Sequence, residues 1–140
     1  MFEKIDHIAI AVDDLAAAID MYESIFGLKV CHREYVEDYH VEIATIHTGS
    51  CAIELIEGQG DDSPIRRFVQ TRGPGIHHIA FVVDDIRESL EKLRQQGIRL
   101  IDATPRRGKN NSLVAFIHPK AAQRVLYELV ELGGSTKQQP

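Results

Sequence analysis

The sequence predicts an α+β fold in which two tandem βαβββ modules form a half-barrel cleft. Two observations carry this reading. The phrase Asp6-His7-Ile8-Ala9-Ile10-Ala11-Val12-Asp13-Asp14-Leu15 returns as His77-His78-Ile79-Ala80-Phe81-Val82-Val83-Asp84-Asp85-Ile86. The run Ile53-Glu54-Leu55-Ile56-Glu57 returns as Tyr127-Glu128-Leu129-Val130-Glu131. His7 and His78 stand 71 positions apart and Glu54 and Glu128 stand 74 apart, so the copies differ only by small insertions. Self-similarity on this scale marks a duplicated structural unit.

The elements follow in order. Residues 6–12 alternate, with His7, Ala9 and Ala11 on one face and Ile8, Ile10 and Val12 on the other, as in a strand covered on its bulky side. Asp13 or Asp14 caps a helix carrying Leu15, Ile19, Tyr22 and Phe26 at helical spacing, and Gly27 ends it. Strands are expected over 28–35, 41–48 and 51–56. Ser63 as N-cap and Pro64 at the first helical position announce a short linker helix within about 62–73, and Gly73-Pro74-Gly75 breaks the chain after it. In the second copy Asp84 or Asp85 caps a helix with the stripe Ile86, Leu90 and Leu93, ended by Gly97. Strands are expected over 99–101, 112–118 and 125–131. The domain therefore reads as residues 1–132, with module one at about 5–57 and module two at about 76–132. Residues 133–140 form a polar tail expected to be flexible.

At 140 residues the chain has room for one ordinary domain. The net charge of −5 argues against a nucleic-acid partner, which needs a basic face. No apolar run approaches the length of a membrane span, so no membrane partner is expected. Cys31 and Cys51 form no C-x-x-C, and reduced thiols in the cytoplasm are the expectation. Arg66, Arg67, Arg72, Arg106, Arg107, Lys109, Lys120 and Arg124 form a cationic inventory around the later loops. Most of it reads as solvated surface, and an anionic small-molecule substrate would use a few of these residues.

His7, Glu54, His78 and Glu128 are the candidate metal set. Alone, a strand His is ordinarily a hydrogen-bonded core residue and a strand Glu ordinarily faces water. The repeat alters that balance, because an unpaired carboxylate in an apolar strand is costly and two recur at matched places. Two imidazole nitrogens and two carboxylate oxygens suit a divalent ion such as Co, Zn, Ni, Fe or Mn. His77 and His78 point to opposite faces, and the repeat aligns His78 with His7. Glu42 is a third candidate inward carboxylate and could join Glu128 as an acid/base pair.

These phrases, the paired modules and the E-L-x-E strands resemble the vicinal oxygen chelate superfamily of glyoxalases, bleomycin-resistance proteins and extradiol dioxygenases. Within it the chain is most similar to the methylmalonyl-CoA epimerases, on Asp62-Ser63-Pro64-Ile65, Gly75-Ile76-His77-His78-Ile79-Ala80-Phe81, Pro105-Arg106-Arg107-Gly108 and Ala115-Phe116-Ile117-His118-Pro119-Lys120. The resemblance implies metal ligands at His7, Glu54, His78 and Glu128, and a second acid/base at Glu42. It implies epimerisation of methylmalonyl-CoA or a similar 2-substituted acyl-CoA thioester through a metal-stabilised enediolate, in a protein expected to be a homodimer. The alternatives are a glyoxalase I-like lactoylglutathione lyase and a non-enzymatic small-ligand-binding protein of the same fold. Where the family commonly has glycine, this chain has Tyr39-His40, Lys109-Asn110-Asn111 and Gln123-Arg124. Those changes are expected to reshape the acyl or carboxylate pocket.

Overall fold

A computed structural model of the protein describes residues 2–133. Of the expected tail, only Gly133 falls among the described residues. The described residues divide into two compact units, one from His7 to His77 and one joining residues 2–6 to residues 78–133. The strand β1 (Phe2–Val12) runs from the second unit into the first.

The first unit continues with α1 (Leu15–Phe26), β2 (His32–Val36), β3 (Val41–His47), β4 (Ala52–Gly58) and α2 (Pro64–Arg72). Its strand order is β2-β3-β4-β1, antiparallel except for the parallel β1–β4 pair. Asp14 caps α1 by accepting from the Ala17 amide at 3.0 Å, and Gly27 stops the helix in the left-handed conformation that glycine adopts without penalty. Leu15, Ile46, Leu55, Val12 and Ala44 are buried together between α1 and the sheet. This is the bulky face read from residues 8, 10 and 12.

α2 begins as expected, with Ser63 accepting from the Arg66 amide and Pro64 in the first turn. Its start presses on the end of β4. A methyl group on Gly58 would lie 2.4 Å from the Ser63 hydroxyl and 2.5 Å from the Arg66 nitrogen, so only glycine fits there.

The second unit carries β5 (Gly75–Val83, entered from the first unit), α3 (Ile86–Gln95), β6 (Arg106–Arg107), β7 (Leu113–Ile117) and β8 (Tyr127–Glu131). The order is β5-β8-β7-β6, with β5 and β8 parallel and the rest antiparallel, so the topology of the first unit is repeated. Asp85 caps α3 by accepting from the Glu88 amide. Ile86, Leu90 and Leu93 pack on Val83, Ala115, Ile117 and Leu129. One expected strand moves. Residues 99–101 contribute a single bridge, Leu100 to Ile117, and Leu100 packs into the α3 core. The outer strand forms instead at Arg106–Arg107, beyond Pro105.

No helix among the described residues is long and apolar enough to cross a membrane.

Candidate metal centre

The register shows which residues share a face, because directly paired strand residues point the same way. In the first unit His7 pairs with Ala52, Ala9 with Glu54 and Thr45 with Glu54. His7, Ala9, Ala11, Glu54, Ile56, Thr45 and Ile43 therefore line the face turned away from α1. His7 and Glu54 meet there, with Nε2 and Oε2 2.8 Å apart. In the second unit Ala80 and Phe116 both pair with Glu128. His78 and Glu128 meet on the face turned away from α3, with Nε2 and Oε2 3.8 Å apart.

All four side chains are buried: His7 is 6% exposed, Glu54 3%, His78 6% and Glu128 7%. A carboxylate stripped of water to that degree needs a partner of opposite charge or a metal. Two donors on neighbouring positions of a divalent ion, with bonds of about 2.0–2.2 Å, lie roughly 3–3.5 Å apart. The two His–Glu separations bracket that bite. Each pair thus offers one imidazole nitrogen and one carboxylate oxygen in a geometry that fits the expected ion. Ala9 and Ala80 are both fully buried beside their Glu, and Ala9 packs with Val41, Ile56 and Ile65 of α2.

The remaining candidates sort by face. His77 is directed as expected, away from His78. Its ring meets Phe68 of α2 edge-on at 5.0 Å, and Arg72 lies over the same Phe68 ring. Burial, and then the Arg72 charge, lower the His77 pKa.

Glu42 departs from expectation. It pairs in register with Tyr35 and Glu57, which puts it on the α1 side of the sheet, opposite to Glu54. Its Oε1 accepts from the Arg33 guanidinium at 2.7 Å in a half-exposed ion pair. The residue of β3 that shares the Glu54 face is Ile43. The strand period of two decides this: a shift of one residue changes faces.

Sequence reasoning missed three features. Glu57 Oε1 accepts from the Leu15 amide at 2.9 Å, and Glu131 Oε1 accepts from the Ile86 amide at 3.2 Å. The second Glu of each E-L-x-E strand is therefore a tertiary cap on its own module's helix, a role the repeat could have exposed. Thr45, buried beside Glu54, had no signal beyond being polar in an apolar strand. Around Glu128 the cross-strand neighbour is Phe116, whose ring meets His78 edge-on at 5.3 Å. Asp102 accepts from the Phe116 amide at 2.8 Å and pairs with Arg106, which stands over the Phe116 ring.

The glycine departures have a specific outcome. Among the described residues, the non-glycine residues at positive φ are His40, Asn110, Asn111, Gln123 and Arg124, all within the stretches where the family commonly has glycine. The backbone keeps the turn that glycine would favour, and a side chain now projects from it. His and Asn tolerate this region, whereas Gln and Arg are costly there.

Residues 6–116 match the family described as the Glyoxalase/Bleomycin resistance protein/Dioxygenase superfamily. The chain is 38% identical over 131 residues to the mitochondrial methylmalonyl-CoA epimerase of Dictyostelium discoideum, covering 91% of this chain and 78% of that protein. It superposes on the crystal structure of methylmalonyl-CoA epimerase from Mycobacterium tuberculosis with a TM-score of 0.90 and 37% identity, over 99% of this chain and 93% of that one. A methylmalonyl-CoA epimerase solved with methylmalonyl-CoA and NH4+ gives a TM-score of 0.88 and 34% identity, over 96% and 97%. With its duplicated βαβββ topology and a buried His–Glu pair in each copy, the chain belongs to the glyoxalase/bleomycin-resistance/dioxygenase superfamily and, within it, to the family of the methylmalonyl-CoA epimerases.

Proposed function

We propose that the protein is a metal-dependent epimerase of methylmalonyl-CoA or a closely similar 2-substituted acyl-CoA. The observation that carries this reading is the duplicated buried His–Glu pair. Its support is the epimerase identity of relatives that align over nearly the whole chain. His7, Glu54, His78 and Glu128 are assigned as one ligand set for a divalent ion. When bound, that ion supplies the positive charge that stabilises an enolate next to a thioester.

The chain's own residues do the rest. The two imidazoles hold their Nε2 nitrogens beside the carboxylates of Glu54 and Glu128. Glu128, next to Ala80 and Phe116 on its face, is assigned to move the proton on the carbon between thioester and carboxylate. Thr45 is positioned to hold Glu54 on the site face. Glu42 lies on the other face of its sheet, so returning the proton falls to another group. Apolar Phe116, paired with Glu128, limits water at the reacting carbon.

The test is incubation of the metal-loaded protein with single-epimer methylmalonyl-CoA in D2O, with methylglyoxal plus glutathione in parallel. Epimerisation with deuterium entering beside the thioester is expected. Turnover of the hemithioacetal alone would move the assignment to a glyoxalase.

A further inference from the structure

The outer strand of the first unit carries a third His–Glu pair, one that the metal centre does not use. In register, His32 pairs with Thr45, and Thr45 with Glu54. Glu34 pairs with Ile43. Both β2 side chains therefore share the Glu54 face. Glu54, Thr45 and His32 form one polar row across β4, β3 and β2. By strand spacing the Cα atoms of Glu54 and His32 lie ~10 Å apart, which leaves room for an ion and a small acyl group between the two side chains. Arg33, between His32 and Glu34 in sequence, turns to the other face and pairs with Glu42.

A His and a Glu on an edge strand are ordinarily solvated surface, and one atom departs from that here. Glu34 Oε1 is buried and accepts no hydrogen bond among the described residues. His32 Nε2 stands 3.6 Å from it, just beyond hydrogen-bond reach, and the His32 side chain is 55% exposed. Nδ1 of His32 has no hydrogen-bond partner among the described residues, so it is open to a ligand. A carboxylate oxygen out of water beside an accessible imidazole is the arrangement of a base with its orienting group. The second unit has no counterpart, because its outer strand is Arg106–Arg107. The proposed reaction also requires such a group. Epimerisation returns the proton to the face opposite the one it left, and Glu42, on the α1 side of the sheet, is not placed to deliver it.

We propose, resting on the epimerase assignment, that His32 is the second proton carrier and that Glu34 is the residue positioning it. For one epimer, Glu128 takes the proton from the carbon between thioester and carboxylate, and the C–H electron pair moves into the enolate. The His32 imidazolium then gives its Nδ1 proton to the opposite face of that carbon, and the enolate electron pair forms the new C–H bond. Glu128 is left protonated and His32 neutral. That is the state that converts the other epimer, and proton exchange with water restores the first.

The experiment gives each single epimer of methylmalonyl-CoA, in D2O, to the metal-loaded parent, H32N, E34Q and the H32N/E34Q double variant. Metal content is measured on the same samples. H32N should keep the parent's metal content and slow epimerisation ~10²- to 10⁴-fold in both directions. It should still place deuterium in the epimer that Glu128 deprotonates, with configuration retained, and leave the other epimer protonated. A general loss of fold cannot produce that one-sided exchange. E34Q should lower kcat about tenfold or more with KM unchanged. It should cost nothing further in the H32N background, since Glu34 acts through His32. Epimerisation by H32N at the parent rate overturns the proposal. So does deuterium uptake slowed equally for both epimers, and so does loss of metal from H32N, which would make His32 a ligand. A parent that neither exchanges nor epimerises overturns the epimerase assignment and this proposal with it, whereas an active parent with an unimpaired H32N overturns the proposal alone.

Discussion

The two units are the same construction put to different uses. In both, a His and a Glu on neighbouring parallel strands meet on the sheet face away from the helix, each beside a fully buried Ala. In both, the Glu three positions later crosses to the opposite face and caps the module's helix. The differences begin on the outer strands. The first unit sets polar Thr45 against its Glu, and the second sets Phe116, anchored by Asp102 and overlain by Arg106. The first unit has a five-residue outer strand, whereas the second has only Arg106–Arg107. Duplication preserved the buried His–Glu pair and the helix cap, and divergence fell on the strands beside them.

The largest effect should separate the two carboxylates. Glu54→Gln and Glu128→Gln should both lower metal content by elemental analysis. At saturating metal, Glu54→Gln should recover to within ~10- to 100-fold of the parent epimerisation rate. Glu128→Gln should stay ~10²- to 10⁴-fold slow, as expected for a lost proton carrier. Equal recovery of both would make the two units equivalent in chemistry as well as geometry.

Removing the ion should affect both units. Dialysis against a chelator should abolish epimerisation and lower the unfolding midpoint. Restoring a divalent ion at a hundred times its Kd should return about 2.7 kcal/mol of stability, read from denaturant melts. Activity that survives chelation intact would remove the metal from the mechanism.

A third measurement bears on the contact that belongs to one copy alone. Gly58 yields to the start of α2, while Leu132 stands at the corresponding place after β8. Gly58→Ala should cost about 1–3 kcal/mol, as overpacking against backbone does. An unchanged denaturation midpoint would show that α2 can shift.

The helix caps test the symmetry itself. Glu57→Ala and Glu131→Ala should each cost about 1 kcal/mol in equilibrium unfolding, the usual worth of a cap at a helix start. A large loss in one and none in the other would mean that the shared geometry hides unequal roles.

The smallest effect is expected at Glu42. Glu42→Gln removes a half-exposed ion pair with Arg33 and should cost under about 1 kcal/mol with near-parent turnover. A hundredfold loss of rate would return Glu42 to proton transfer and require its side chain to leave the α1 side.

Much of this was legible in the residues. The alternation of residues 6–12 and 78–83 put each His on the face away from its helix, because a strand has a period of two and the bulky set must be covered. Asp14 and Asp85 started the helices, and Ser63-Pro64 the linker helix, because those side chains satisfy free amides locally. The matched His and Glu positions followed from the repeat. Each of these is a short-range rule that a few neighbouring residues decide.

Tertiary structure decided what depends on register and long-range approach. Glu42 looked inward until its pairing with Glu57 put it on the α1 side, a distinction of one residue that no local pattern states. Glu57 and Glu131 became caps because their strands end beside helices 42 and 45 residues away in sequence. The outer strand of the second unit moved to Arg106–Arg107 because burying Leu100 under α3 outweighed its strand propensity. The turns at His40, Asn110-Asn111 and Gln123-Arg124 kept left-handed backbone without glycine, because the strands they join hold them there. Sequence determined which groups this protein can bring to a metal; the pairing of its strands decided which face each group occupies.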